Sequence, residues 1–89
     1  MNPVEERKRR LVFLESYTQA RLADHPEFRG TFLYNMIIDQ ACLKYQVSRR
    51  TAAEYATYVI LDLGLQERVK NVGKGVVYQA VAGKGQEGE

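Results

Sequence analysis

Four consecutive residues, Ser48, Arg49, Arg50 and Thr51, place two guanidinium groups and two hydroxyls within about one helical turn. These groups suit phosphate oxygens and the base edges of a DNA groove. Arg50 is the candidate for a bidentate contact with a guanine, whose O6 and N7 match the guanidinium fork. Glu54, one turn on, is placed to hold Arg50 or to accept from a cytosine. Ser48, Arg49 and Thr51 suit phosphates, and Tyr58 could donate its hydroxyl to one. Ala53 is small enough for the helix to approach a groove closely. The competing reading of Arg50 and Glu54 is an i,i+4 surface ion pair, worth about 0.2–0.5 kcal/mol.

Such a cluster needs a helix that starts just before it. Residues 38–59 read as two helices joined by a tight turn at Gln46-Val47-Ser48. Ser48 is a good N-cap, because its hydroxyl can accept from the free N–H groups of the next turn. Ala41, Cys42, Tyr45, Val47, Ala52 and Tyr55 are small or apolar where two crossing helices must touch. This pattern resembles the helix-turn-helix of DNA-binding regulators. Leu63-Gly64-Leu65 then ends the second helix with a glycine able to turn left-handed. The recognition helix is therefore expected over about residues 49–63.

Two short segments follow, Gln66 to Lys70 and Val76 to Val81, and both read as strands. Asn71-Val-Gly-Lys-Gly75 between them has the glycines of a hairpin loop. Helix, turn, helix and basic hairpin together resemble the winged helix-turn-helix family over roughly residues 11–82. Small winged-helix proteins of archaea, their plasmids and their viruses share this layout. The resemblance implies an α+β, mainly α fold: three helices followed by a β-hairpin wing. It implies that the recognition helix enters a major groove and that the wing, residues 70–75, touches backbone or minor groove through Lys70 and Lys74. Gln46 stands where such turns often carry Gly, which permits a positive φ, and Cys42 replaces a common Ala.

The remaining segments supply scaffold. Asn2 and Pro3 read as the cap and first position of a helix running to about Ala23. Its apolar stripe holds Leu11, Leu14, Tyr17, Ala20 and Leu22, with Val12 and Phe13 beside them. A helix of about 20 residues spans ~30 Å, more than so small a core covers. Part of it is expected to pack on a second copy of the chain. Residues 24–30 read as a loop around Pro26 and Gly30, with Thr31 capping the next helix. Leu33, Ile37, Ile38, Ala41 and Cys42 recur at core-facing helical spacing. Residues 1–82 are expected to form one domain, with residues 83–89 a disordered tail.

Composition narrows the function. An apolar fraction of 45% over 89 residues supports one small core. No apolar run approaches the ~20 residues of a membrane span, and the charged N-terminus reads as no signal peptide. One cysteine cannot close an internal disulfide, and one histidine, His25, cannot build a zinc site with it. No nucleophile has an evident base, and the Gly-x-Gly pairs lack the strand–loop–helix setting of a phosphate loop. No enzyme and no cofactor are expected, and the chain is read as cytoplasmic and nucleoid-associated.

The net charge of +2 is unevenly spread. Residues 5–10, 44–58 and 66–75 each carry +2, and everything else is acidic on balance. Lys44 therefore joins the candidate phosphate contacts. The first of these segments reads as a solvated helix start and the other two as an electrostatic footprint for double-stranded DNA. The function expected is a DNA-binding homodimer, either a transcriptional regulator or a DNA-organising accessory factor such as a plasmid-partition or chromatin-like spreading protein. The alternative is a winged-helix adaptor that binds a protein partner, favoured by Tyr58 and Leu61 on the outward face.

Overall fold

Asn2 and Pro3 start the first helix, as their order implies. The Asn2 side chain accepts from the Glu5 N–H at 2.8 Å, and Glu5 and Glu6 sit at the positive end of the helix dipole. The computed structural model describes residues 2–69. Within them lie α1 (Pro3–Asp24), α2 (Gly30–Tyr45) and α3 (Arg49–Asp62), followed by a short 3-10 helix, Gln66–Val69.

The stripe on α1 is taken up largely by the chain itself. Leu14 is fully buried, and Leu11, Phe13 and Leu22 are half-buried against the core. Of the apolar residues beside them Val12 stays exposed. The loop after α1 closes on aromatic contacts: His25 stacks on Phe28 with 4.6 Å between ring centroids, and Phe28 meets Phe32 at the same distance. α2 begins two residues earlier than a Thr31 cap would place it. Gly30 takes φ +63°, so the chain reverses there, and Arg29 occupies the N-cap position without a side-chain cap.

α2 buries Leu33, Tyr34, Ile37, Ile38 and Ala41, the expected stripe with Tyr34 added. α2 and α3 are joined by Gln46, Val47 and Ser48 alone, the tight turn the sequence implies. Gln46 caps α2 in the left-handed region, φ 53° and ψ 41°, and its N–H bonds to Cys42 O at 2.9 Å. A residue with a Cβ is held there at a cost of about 1 kcal/mol. Gln46→Gly should therefore raise the midpoint of thermal unfolding by a few degrees, the shift about 1 kcal/mol produces in a small domain. A drop in the midpoint, followed by circular dichroism, would show that the Gln46 side chain contributes more than its backbone costs.

α3 packs on both α2 and α1, which broadens its buried arc. Ala52 and Tyr55 are buried where the helices cross, Ala56, Val59 and Ile60 are buried with them, and Leu63 is half-buried against the core. Thr57, which its wheel position places outward, is 3% exposed. Its hydroxyl donates to the Ala53 carbonyl at 2.9 Å, so the polar group is satisfied inside the helix and can be buried.

The winged-helix expectation fails at its first strand. The segment expected to begin the hairpin is instead the 3-10 helix, and there is no strand among the described residues. The fold is a small helical one. Gly64 does turn left-handed, φ +68°, and the Leu65 N–H returns to the Ile60 carbonyl at 2.9 Å. That turn sends the chain back over the core, where Val69 is fully buried and Leu65 half-buried. Arg68 fastens the segment to the α1–α2 loop by donating to Pro26 O at 2.8 Å and Phe28 O at 3.2 Å. The second expected strand, Val76 to Val81, and the tail lie outside the described residues.

Candidate nucleic-acid interface

Ser48 caps α3 as expected. Its Oγ accepts from the Thr51 N–H at 3.2 Å and donates to Thr51 Oγ1 at 3.3 Å. Each hydroxyl is thus partly engaged by the other, and the Thr51 proton remains available to an acceptor outside the helix. The N–H groups of Arg49 and Arg50, in the first turn, have no intrahelical acceptor and lie at the positive end of the dipole.

The two arginines differ. Arg49 makes an ion pair across the turn with Asp39 of α2, Nη1 to Oδ1 at 2.9 Å. Both side chains are well exposed, so the pair contributes less than about 1 kcal/mol and can open for a phosphate. Arg50 is exposed and makes no hydrogen bond or ion pair among the described residues, including none with Glu54. The i,i+4 pairing of Arg50 with Glu54 is therefore not made. Arg50, Glu54 and Tyr58 follow at four-residue intervals on the outward face, each exposed, with Leu61 half-buried beside them.

Lys44 stands apart from this row. Its ammonium lies 4.5 Å from the Phe13 ring centroid of α1 and 5.8 Å from that of Tyr45. Phe13 and Tyr45 meet edge to face at 6.2 Å. Lys70 and Lys74 lie outside the described residues. One helix and its cap thus bring together six of the candidate residues: Ser48, Arg49, Arg50, Thr51, Glu54 and Tyr58.

The sequence reading passed over Arg10. Its Nη1 donates to the Tyr55 hydroxyl at 3.1 Å, its Nη2 to Glu6 at 2.8 Å, and its guanidinium lies 4.8 Å from the Tyr45 ring centroid. The Tyr55 hydrogen bond is the main influence holding the Arg10 guanidinium above its ordinary value, against an opposing burial effect and with help from the Glu6 charge. Burial raises the Tyr45 phenol, the Tyr55 neighbour adds to it, and the charges of Arg10 and Arg9 oppose it. The available signal in the sequence was the pair of tyrosines flanking the turn, Tyr45 and Tyr55, each able to receive a cation.

Between α1 and α3, Glu15 is pushed above the ordinary carboxyl range, first by burial and then by hydrogen bonding and charge from Asp62. A raised folded-state value means that Glu15 stabilises the fold while protonated and loses that contribution as pH rises through it. Glu15→Gln should therefore melt above the parent chain at neutral pH. The gap should close as pH falls through the raised value into the usual carboxyl range. Equal melting points at pH 7 would show that Asp62 does not burden Glu15.

Among the described residues no group of three or more His, Cys, Asp or Glu side chains is arranged to hold a metal ion. None of the described helices is long and apolar enough to cross a membrane. Comparison with family models, with curated proteins and with solved structures gives no match. The functional reading therefore rests on the chemistry of the helix-turn-helix corner.

Proposed function

We propose that the chain binds double-stranded DNA through α3, as a transcriptional regulator or a DNA-organising factor that coats or partitions DNA. Arg50 carries the proposal. A free, exposed guanidinium in the first turn of a Ser-capped helix has no structural partner, and its chemistry fits a guanine edge. Glu54 and Tyr58 extend the same row along the helix. Arg49 and the exposed first-turn N–H groups supply phosphate contacts that set the register. One recognition helix gives a short contact, and a two-fold pair would double it, with half-sites about 34 Å apart or a multiple of that. We therefore propose a homodimer as the active form.

The deciding measurement is a titration of duplex DNA at low and physiological salt, with the solution mass determined on the same preparation. Binding should weaken steeply as salt rises, because each neutralised phosphate contributes about 0.9 to the logarithmic slope. The mass should be twice 10.2 kDa at micromolar concentration. A chain that ignores duplex DNA at low salt would end this reading. It would leave the second one, a helical adaptor for a protein partner, which is favoured by an open groove beside α1 and α2 where Tyr17, Phe32, Met36 and Leu43 alternate with the polar Asn35, Asp39 and Gln40. Phe32 and Leu43 there are 59% and 76% exposed, a costly arrangement unless something covers them.

A further inference from the structure

Two cations from two helices converge on one aromatic ring at the end of α2. The Arg10 guanidinium lies 4.8 Å from the Tyr45 centroid and the Lys44 ammonium 5.8 Å from it. Arg9 directly precedes Arg10 on α1 and is exposed. Tyr45 is the last residue of α2, directly before the turn into α3. Arg10 reaches on to the Tyr55 hydroxyl in α3 at 3.1 Å, so the N-terminal half of α1 is held at the helix-turn-helix corner. The anion paired with this group is Glu6, 2.8 Å from Arg10.

A single cation would suffice to complement the negative end of the α2 dipole. Arg9 and Lys44 are both exposed, and neither has a carboxylate within ion-pair distance among the described residues. Like charges gathered this way repel one another, and a polyanion removes the repulsion on binding. The geometry also suits that partner. A helix lying in a major groove is flanked by the two phosphate backbones, and phosphate contacts beside it fix its register. The corner that carries Arg49 at the start of α3 is the same corner that carries Tyr45 and Lys44.

We infer that the N-terminal half of α1 is a second phosphate-contacting surface for duplex DNA, with Arg9 and Lys44 touching the backbone. Arg10 is a positioning residue that clamps α1 to Tyr45 and Tyr55. This rests on the reading of α3 as the DNA-binding helix and extends that surface to a segment whose composition alone reads as solvated.

The test uses the full chain carrying Arg9→Gln together with Lys44→Gln, titrated on a preferred and on a scrambled duplex over a range of salt. Both duplexes should be bound more weakly by a similar factor, and the logarithmic salt slope should become shallower by about one unit per lost contact, about four for the homodimer. The DNA-free melting temperature should stay nearly level, because the relieved crowding offsets the lost contact of Lys44 with the Phe13 ring. Arg29→Gln, which removes an exposed charge at the opposite end of α2, should leave the slope unchanged and so excludes a mere net-charge effect. An unchanged slope in the double variant, with the parent chain still binding, overturns the α1 contact and leaves α3 standing. A clear fall in melting temperature overturns it too, since the cations would then serve to cap α2. Failure of the parent chain to bind duplex DNA removes the function of α3 and this inference together.

Discussion

Replacing Arg50 by Ala should weaken binding to the best duplex about 5- to 150-fold per half-site while changing the affinity for a scrambled duplex far less. The range follows from the loss of a bidentate guanine contact, about 1–3 kcal/mol, at 1.4 kcal/mol per tenfold. The asymmetry separates a base reader from a phosphate contact, whose loss weakens all sequences alike. The folded chain should hardly notice. Arg50 is exposed and touches no hydrogen-bonding or charged partner among the described residues, so its removal leaves no buried group unsatisfied. The melting temperature of Arg50→Ala should match that of the parent chain. Glu54 adds a check, because it lies one turn on along the same exposed row without pairing to Arg50. Glu54→Gln should preserve the fold and, by removing a negative charge from the exposed row, strengthen binding to scrambled duplex. If Arg50→Ala weakens the two duplexes equally, Arg50 does not read bases. The protein would then belong with factors that coat DNA without regard to sequence.

The features legible in the sequence are those decided within one helical turn. Asn2 followed by Pro3, Ser48 ahead of Thr51, and Gly64 after the last turn of α3 each act through their own neighbours. The α2 stripe from Leu33 to Ala41 was readable because burial repeats with the helix period. Gln46 in the left-handed region shows the limit of residue preference. The turn geometry imposed φ 53° on a residue that disfavours it. What was not legible depends on residues far apart in the chain. The candidate strand became a 3-10 helix because Val69 is buried against the core and Arg68 reaches carbonyls at Pro26 and Phe28. The role of Arg10 depends on Tyr45 and Tyr55, 35 and 45 positions away, which no local window contains. Thr57 misled through chemistry, since its hydroxyl bonds to its own helix and behaves as buried surface. That Ser48, Arg49, Arg50, Thr51, Glu54 and Tyr58 fall together was legible because they belong to one helix and its cap.

Val69→Asp should unfold the domain or lower its melting temperature by tens of degrees, and this substitution tests the corrected fold. Val69 is 0% exposed and belongs to the same core cluster as Leu33, Ile37 and Ile60. A carboxylate there would have to ionise out of water or stay protonated, and either course costs several kcal/mol. A domain of this size has on the order of 5–10 kcal/mol of stability in total. Val69→Ala keeps the test quantitative if the aspartate variant cannot be recovered. It removes two methyl groups from a filled site and should cost about 2 kcal/mol with its cavity. Arg68→Ala should act in the same direction more weakly, since it removes hydrogen bonds to Pro26 O and Phe28 O. The chain has no tryptophan, so the helical circular-dichroism signal is the natural probe. The alternative arrangement predicts the opposite outcome. In the first strand of a wing standing away from the helices, an aspartate on the solvent face would be tolerated, and the three helices would melt as before. A Val69→Asp chain with the parent melting temperature would therefore detach Gln66–Val69 from the core. It would also remove the anchor by which Arg68 and Val69 tie the end of α3 to the loop between α1 and α2.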